Sequence, residues 1–259
     1  MHEIIVDKLN EIEKDLDIRI LLACETGSRA WGFESPDSDY DIRIIYCHAP
    51  DWYLTIGERA DSITEMFDNN LLDVTGWELR KSLRLLTKSN MTVFERLDSS
   101  IIYKEDPVFK SRILEISPDF YNPISSMYHY LGIAKSALAD VTESEPYKLK
   151  RLFYGLRAGA CCQWIYEHNI GAPPISYDKV LANIKLTDLE RESLKELRQL
   201  KAEQSEKYMH SGEALLLELI AKQIDSAEKK VDSLNASNSD SSRLDELLRR
   251  TVLESSNGD

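Results

Sequence analysis

A glycine and a serine, Gly27-Ser28, stand ten residues ahead of a pair of aspartates, Asp39 and Asp41, that share a segment rich in β-branched and aromatic residues. In a strand, residues i and i+2 point to one face, so that spacing sets the two carboxylates side by side. Adjacent carboxylates repel each other unless something positive neutralises them. Divalent cations such as magnesium do so, because they favour carboxylate oxygens together with substrate phosphates. Two such ions about 3.5–4 Å apart clamp the attacking and leaving oxygens of an in-line phosphoryl displacement. Gly27 permits close backbone approach to a phosphate, and Ser28 offers a hydroxyl and an amide. A helical turn beginning near Arg29 would add further amides as an anion site.

The elements around these residues are those such chemistry needs. Ile18 to Cys24 is a short apolar run suited to a buried strand, and ETGSRAWGFESPDSD after it reads as loop. Residues 39–46 make a second strand. Residues 63–67 and 71–75 make two more, joined by a turn at Asp68-Asn69-Asn70. The last of these strands carries Asp73 in an otherwise apolar run, the natural place for a third carboxylate. Glu65 and Asp61 are the other acids available for that post. Helical periodicity covers residues 3–17 and 78–87, with a further turn or two at 92–97.

Beyond about residue 115 the pattern is helical: 124–140, 147–168, 176–184, 188–208 and 212–234. A polar stretch at 235–242 follows, then one short amphipathic segment and a tail. The expected fold class is α/β (α+β), a small mixed sheet followed by a helical bundle. The expected domains are 1–117 and 118–234, with 235–259 as linker and short helix.

Composition bounds the function. The chain has 259 residues, 42% hydrophobic and 30% charged, with a formal net charge of −13. No apolar run approaches the ~20 residues that span a bilayer, so no membrane role is expected. The N-terminus is acidic and amphipathic, unlike a targeting peptide. Cys24, Cys47, Cys161 and Cys162 lack metal-ligand spacing and read as reduced core residues of a cytoplasmic protein. So acidic a chain holds RNA only through a local basic patch or a partner.

The residues of that central stretch, GSRAWGFESPDSDYDIRIIY, resemble the DNA polymerase β-like nucleotidyltransferases. Among them the stretch is most similar to the RNA-repair-associated RlaP/YcgL-like family, whose signature is GSRAWGF-SPDSDYD. LLDVTGWELRKSLRLLTKSNMTVFERLDSSIIY and YKLKRLFYGLRAGACCQWIYEHNIGAPPISY resemble that family's later blocks, so the likeness spans about residues 18–185. Met91 after Asn90, where proline is expected, is a departure.

The resemblance implies a metal site on Asp39, Asp41 and Asp73, holding two magnesium ions or manganese in their place. It implies a nucleoside triphosphate, ATP first, held at Gly27 and Ser28, with Asp73 orienting or deprotonating an acceptor hydroxyl. RNA is the favoured acceptor, with a protein or small molecule as the alternative, and a nucleotide-binding protein without turnover as another. Arg29 either pairs with a phosphate or makes a salt bridge to Glu25 or Asp37. Lys150, Tyr154 and Arg157 fall on one helical stripe; they either contact the nucleotide or form a solvated face. The charged run 187–208 reads as a solvated helix.

Overall fold

The structure, a computed structural model, describes residues 1–68, 71–168, 170–235 and 240–254. Asn69 and Asn70 of the expected turn, residues 236–239 of the expected linker and the 255–259 tail lie outside the described residues.

Two compact units divide the chain. The first opens with α1 (His2–Leu16), whose Ile5, Leu9 and Ile12 recur at helical spacing and are buried. Next come β1 (Arg19–Glu25), the short α2 (Gly27–Trp31), β2 (Tyr40–Cys47), α3 (Pro50–Tyr53), β3 (Ser62–Phe67) and β4 (Leu72–Glu78). The unit continues through α4 (Leu79–Thr87), α5 (Met91–Asp98), β5 (Ile102–Glu105) and α6 (Pro107–Ile116). The strands form one sheet in the order β3-β4-β2-β1-β5. β2 and β4 run parallel and the other neighbours antiparallel, a mixed sheet as expected.

The α1 side chains pack on Ile20, Ala23, Ile42, Ile44, Leu72 and Val74. Burying each large aliphatic side chain there contributes about 1.5–3 kcal/mol. Gly76 marks the tightest point of the sheet: a Cβ on it would lie 2.6 Å from Cγ1 of Ile63 and 2.7 Å from Cγ1 of Ile44. Met91 is the first residue of α5 rather than a loop residue, and its side chain is buried. Proline is also favoured at that helical position, so the departure costs no backbone geometry.

The second unit contains α7 (Pro123–Glu143), β6 (Tyr147–Lys148), α8 (Leu149–His168), α9 (Tyr177–Ala182), α10 (Asp188–Glu203), β7 (Met209–His210) and α11 (Ala214–Lys230). Small residues let α8 approach its neighbours: a Cβ on Gly155 would sit 3.1 Å from Ile220 and 3.3 Å from Ala137. Two expectations of helix fail here. Tyr147 and Lys148 pair as a strand with His210 and Met209, so α8 starts later and α10 ends before residue 208.

The grouping departs from the expected 1–117, 118–234 and 235–259 in two respects. The segment Trp31–Ser38 groups with the helical unit. The C-terminal α12 (Ser242–Glu254) groups with the first, burying Leu244, Leu247 and Val252 where it packs on α4 and α6. Arg112 pairs with Glu254 at 2.7 Å, and Arg243 bridges Glu115 at 2.8 Å and Asp119 at 2.5 Å. No helix of the described residues is long and apolar enough to cross a membrane. All four cysteines are buried and free.

Candidate active site

Strand pairing brings two of the expected carboxylates together. Asp41 near the start of β2 and Asp73 near the start of β4 are direct register partners across the parallel ladder. Arg43, two residues beyond Asp41, lies in the seam: its Nη2 donates to Oδ1 of Asp41 at 2.8 Å and to Oδ2 of Asp73 at 2.9 Å. Its Nη1 donates to the carbonyls of Asp73 at 3.0 Å and Ile42 at 3.1 Å. One guanidinium thus neutralises both acids. Thr75 donates to the other oxygen of Asp73 at 3.3 Å. Asp39 precedes the first residue of β2, and among the described residues its carboxylate makes no hydrogen bond or ion pair.

Gly27 and Ser28 start α2, against the same strand. Gly27 has φ +61°, and a Cβ there would fall 2.0 Å from Oδ2 of Asp41, so the carboxylate lies directly over the glycine. Ser28 is buried. Thr26 ties the turn to β2: its amide and hydroxyl both donate to the Asp41 carbonyl, at 2.9 and 3.1 Å. Arg29 lies near enough to Glu25 for its charge to oppose the rise in that carboxyl's pKa. Its Nε donates to the Asp39 carbonyl at 3.0 Å and its guanidinium lies 3.9 Å from the centre of the Tyr40 ring.

Glu25, the last residue of β1, is a part of the site the sequence did not reveal. It is fully buried, accepts the Asp41 amide at 2.7 Å, and takes a 2.5 Å hydrogen bond from the Tyr103 hydroxyl. Burial pushes its carboxyl up to about 7, against the lowering effect of those two hydrogen bonds, and the charge of Asp41 adds to the rise. The only sequence signal was an acid ending an apolar strand run. Its partner Tyr103 comes from β5, a strand with no alternating pattern to announce it.

The residues between Ser28 and Asp39 are organised within the helical unit. Phe33 is buried against Phe153 and Tyr177, with ring centroids 4.9 and 5.8 Å away. Ser35 and Ser38 meet through a 2.9 Å bond, Ser38 donates to Glu206 at 2.5 Å, and Nζ of Lys201 donates to Ser35 at 2.8 Å. Asp37 accepts the Glu206 amide at 2.8 Å. Lys201, only 2% exposed, is a buried anchor in the run expected to be a solvated helix; burial lowers its pKa against the opposing charge of Glu206.

The expected Lys150, Tyr154 and Arg157 stripe reaches the same segment. Lys150 pairs with Glu206 at 3.2 Å and Tyr154 meets Trp31 edge-on at 5.2 Å. Arg157 is buried, 4.5 Å from the Trp31 ring centre, and donates to the Ile175 carbonyl at 3.3 Å. This is not a solvated charged face.

Donor chemistry at the carboxylates fits a hard divalent cation. Among the described residues no three His, Cys, Asp or Glu side chains converge as a ready cage. Magnesium does not need one, since it is commonly held by one or two carboxylates with water and substrate phosphates. Asp41 and Asp73, partly exposed, would be those ligands; Asp39 lies just ahead of β2 and does not converge with them into one cluster.

A mixed sheet that sets paired acids beside a glycine-serine turn defines a polymerase-β-like nucleotidyltransferase. The chain belongs to the RNA repair pathway DNA polymerase beta family, RlaP, whose model matches residues 1–250. It is 34% identical over 255 residues to an uncharacterized protein of Bacillus subtilis, YcgL, covering 98% of this chain and 97% of that one. A crystal structure of a nucleotidyltransferase-like protein from Exiguobacterium sibiricum aligns over 96% of this chain and 80% of that one, with a TM-score of 0.34 and 12% identity.

Proposed function

We propose that this protein transfers a nucleoside monophosphate from a nucleoside triphosphate, ATP first, to a hydroxyl of RNA in the cytoplasm, releasing pyrophosphate. The observation that carries the reading is the register pairing of Asp41 with Asp73 beside the Gly27-Ser28 turn. Membership of an RNA repair pathway family supports RNA as acceptor.

In this reading the amides and hydroxyl at Gly27 and Ser28 hold the triphosphate. Asp73 orients the acceptor hydroxyl and receives its proton as the oxygen attacks the α-phosphorus in line with the departing pyrophosphate. Asp41, Asp73 and Asp39 would hold magnesium, which would supply charge neutralisation of the phosphates. Arg43 stabilises the carboxylates of Asp41 and Asp73 and keeps them in register. Lys150, Tyr154 and Arg157 serve nucleotide binding from the helical unit, where Tyr154 and Arg157 pack on Trp31. Catalysis on this scheme is chiefly positioning and electrostatic stabilisation.

The test uses each of the four triphosphates labelled at the α-phosphate, with magnesium or chelator, against an RNA pool and a protein extract. Magnesium-dependent label on RNA, lost in Asp41→Asn and Asp73→Asn, is the expected result. Label on protein or small molecules keeps the chemistry and removes RNA as acceptor. Undiminished transfer by Asp41→Asn sinks the proposed centre.

A further inference from the structure

The first unit carries a second concave site, at the other end of the sheet from the carboxylates. Because β2 and β4 run parallel, Asp41 and Asp73 both lie near their starts, and the chain leaves both strands on the order of 20 Å away. There α3, the loop after it and the start of α4 enclose a cleft of about 440 Å³.

Its walls include Trp52, Tyr53, Arg59, Arg80 and Arg84. The Arg59 guanidinium lies 5.8 Å from the Trp52 ring centre and that of Arg80 4.9 Å from Tyr53. Among the described residues none of these three arginines is ion-paired, although the chain holds 45 acids to 32 lysines and arginines. Arg19, Arg112 and Arg243, by contrast, all have carboxylate partners.

The acids of the cleft do not cancel this charge. Asp61 is matched by Lys81 at 2.8 Å. Glu78 accepts the Tyr53 hydroxyl at 2.5 Å and caps α4 through the Lys81 amide. Glu58 offsets one guanidinium, and the wall keeps a net positive charge. At the rim Ile56 is fully exposed, an apolar side chain with nothing over it among the described residues.

Guanidinium forks match phosphate oxygens bidentately, as they do carboxylates. Arg80 and Arg84 are one helical turn apart, about 6 Å along α4, a separation similar to that of successive phosphates on one strand. Aromatic rings and guanidinium planes beside such a track give bases a stacking surface. A free inorganic anion would use the arginines and leave the rings idle. An acidic peptide would do the same.

We propose that this cleft docks a single strand of RNA, its phosphates on Arg59, Arg80 and Arg84 and a base against the Trp52–Tyr53 wall. It is the local basic patch that so acidic a chain needs in order to hold RNA. The proposal deepens the RNA-acceptor reading, yet it is tested without triphosphate or metal, so failure of one is distinguishable from failure of the other.

The experiment is fluorescence anisotropy of the full chain with an end-labelled unstructured RNA oligonucleotide over a salt series. Arg80→Glu with Arg84→Glu should weaken binding at least tenfold, and an alanine pair should make the log–log salt slope shallower by about 1.4, for two lost phosphate contacts. Trp52→Ala should weaken binding with the slope unchanged. Thermal unfolding of each variant separates loss of docking from loss of fold. Absence of RNA binding by the wild type, or unaltered binding by folded arginine variants, overturns the proposal. So does equal competition by polyglutamate together with indifference to Trp52→Ala, which would make the cleft an acidic-protein surface.

Discussion

Oδ2 of Asp41 stands 2.0 Å from where a Cβ on Gly27 would be, so the glycine and the carboxylate occupy one space by mutual exclusion. Gly27 is required twice, for that contact and for its φ of +61°. Gly27→Ala should cost about 1–2 kcal/mol for the left-handed backbone alone. Displacing Asp41 should reduce nucleotidyl transfer about a hundredfold, the penalty typical of ångström-scale misplacement. Chemical denaturation and labelled-product formation read the two effects; a variant with full transfer would remove Asp41 from the chemistry.

Arg43 pairs with both Asp41, at 2.8 Å, and Asp73, at 2.9 Å. Arg43→Met leaves two neighbouring carboxylates to repel each other and should cost about 2 kcal/mol in chelator. Magnesium should restore more of that loss than it adds to wild type, because the acids then gain their countercharge from the ion. Melting temperatures across a magnesium titration check this. Equal magnesium responses in the two proteins would detach the carboxylate pair from metal binding.

Glu25 gives a pH dependence whose sign follows from its shift. Its folded pKa of about 7 lies above its ordinary value of 4.5, so the folded state holds the proton more tightly. The stability contributed by protonated Glu25 is full below 4.5 and is lost as pH rises through about 7. Glu25→Gln keeps the shape and a donor but does not titrate. The melting temperature of wild type minus that of the variant should therefore fall steadily from pH 4.5 to 7. A flat difference would place the ionisation elsewhere.

Lys201 anchors Ser35 and pairs with Glu206 at 3.4 Å. Lys201→Met leaves Glu206 with less compensation and frees the segment that joins Ser28 to Asp39, at a cost of about 2 kcal/mol. The expected kinetic signature is a raised KM for the triphosphate accompanied by a lower kcat, since the segment bears on ground state and transition state alike. Unchanged kinetics in a destabilised variant would confine Lys201 to folding.

The sequence by itself determined the class of fold and the catalytic stretch. A continuous apolar run marks β1, β-branched and aromatic residues mark β2, and period-3.6 patterns mark α1 and the long helices, because each signal lies within its own segment. Gly27, Ser28, Asp39 and Asp41 are legible because their spacing is local. Tertiary structure alone decided which partners those residues meet. Asp73 becomes a neighbour of Asp41 only through the parallel pairing of β2 with β4, and Arg43 enters the seam only once both strands are in register. Glu25 and Tyr103, Lys201 and Ser35, and α12 on α4 and α6 are contacts over long sequence distances, with no local periodicity to encode them. For the same reason Lys201 reads as a surface charge in the sequence, and Arg157 as either a nucleotide contact or part of a solvated face. Whether a cation is solvated or buried depends on what the rest of the chain lays over it.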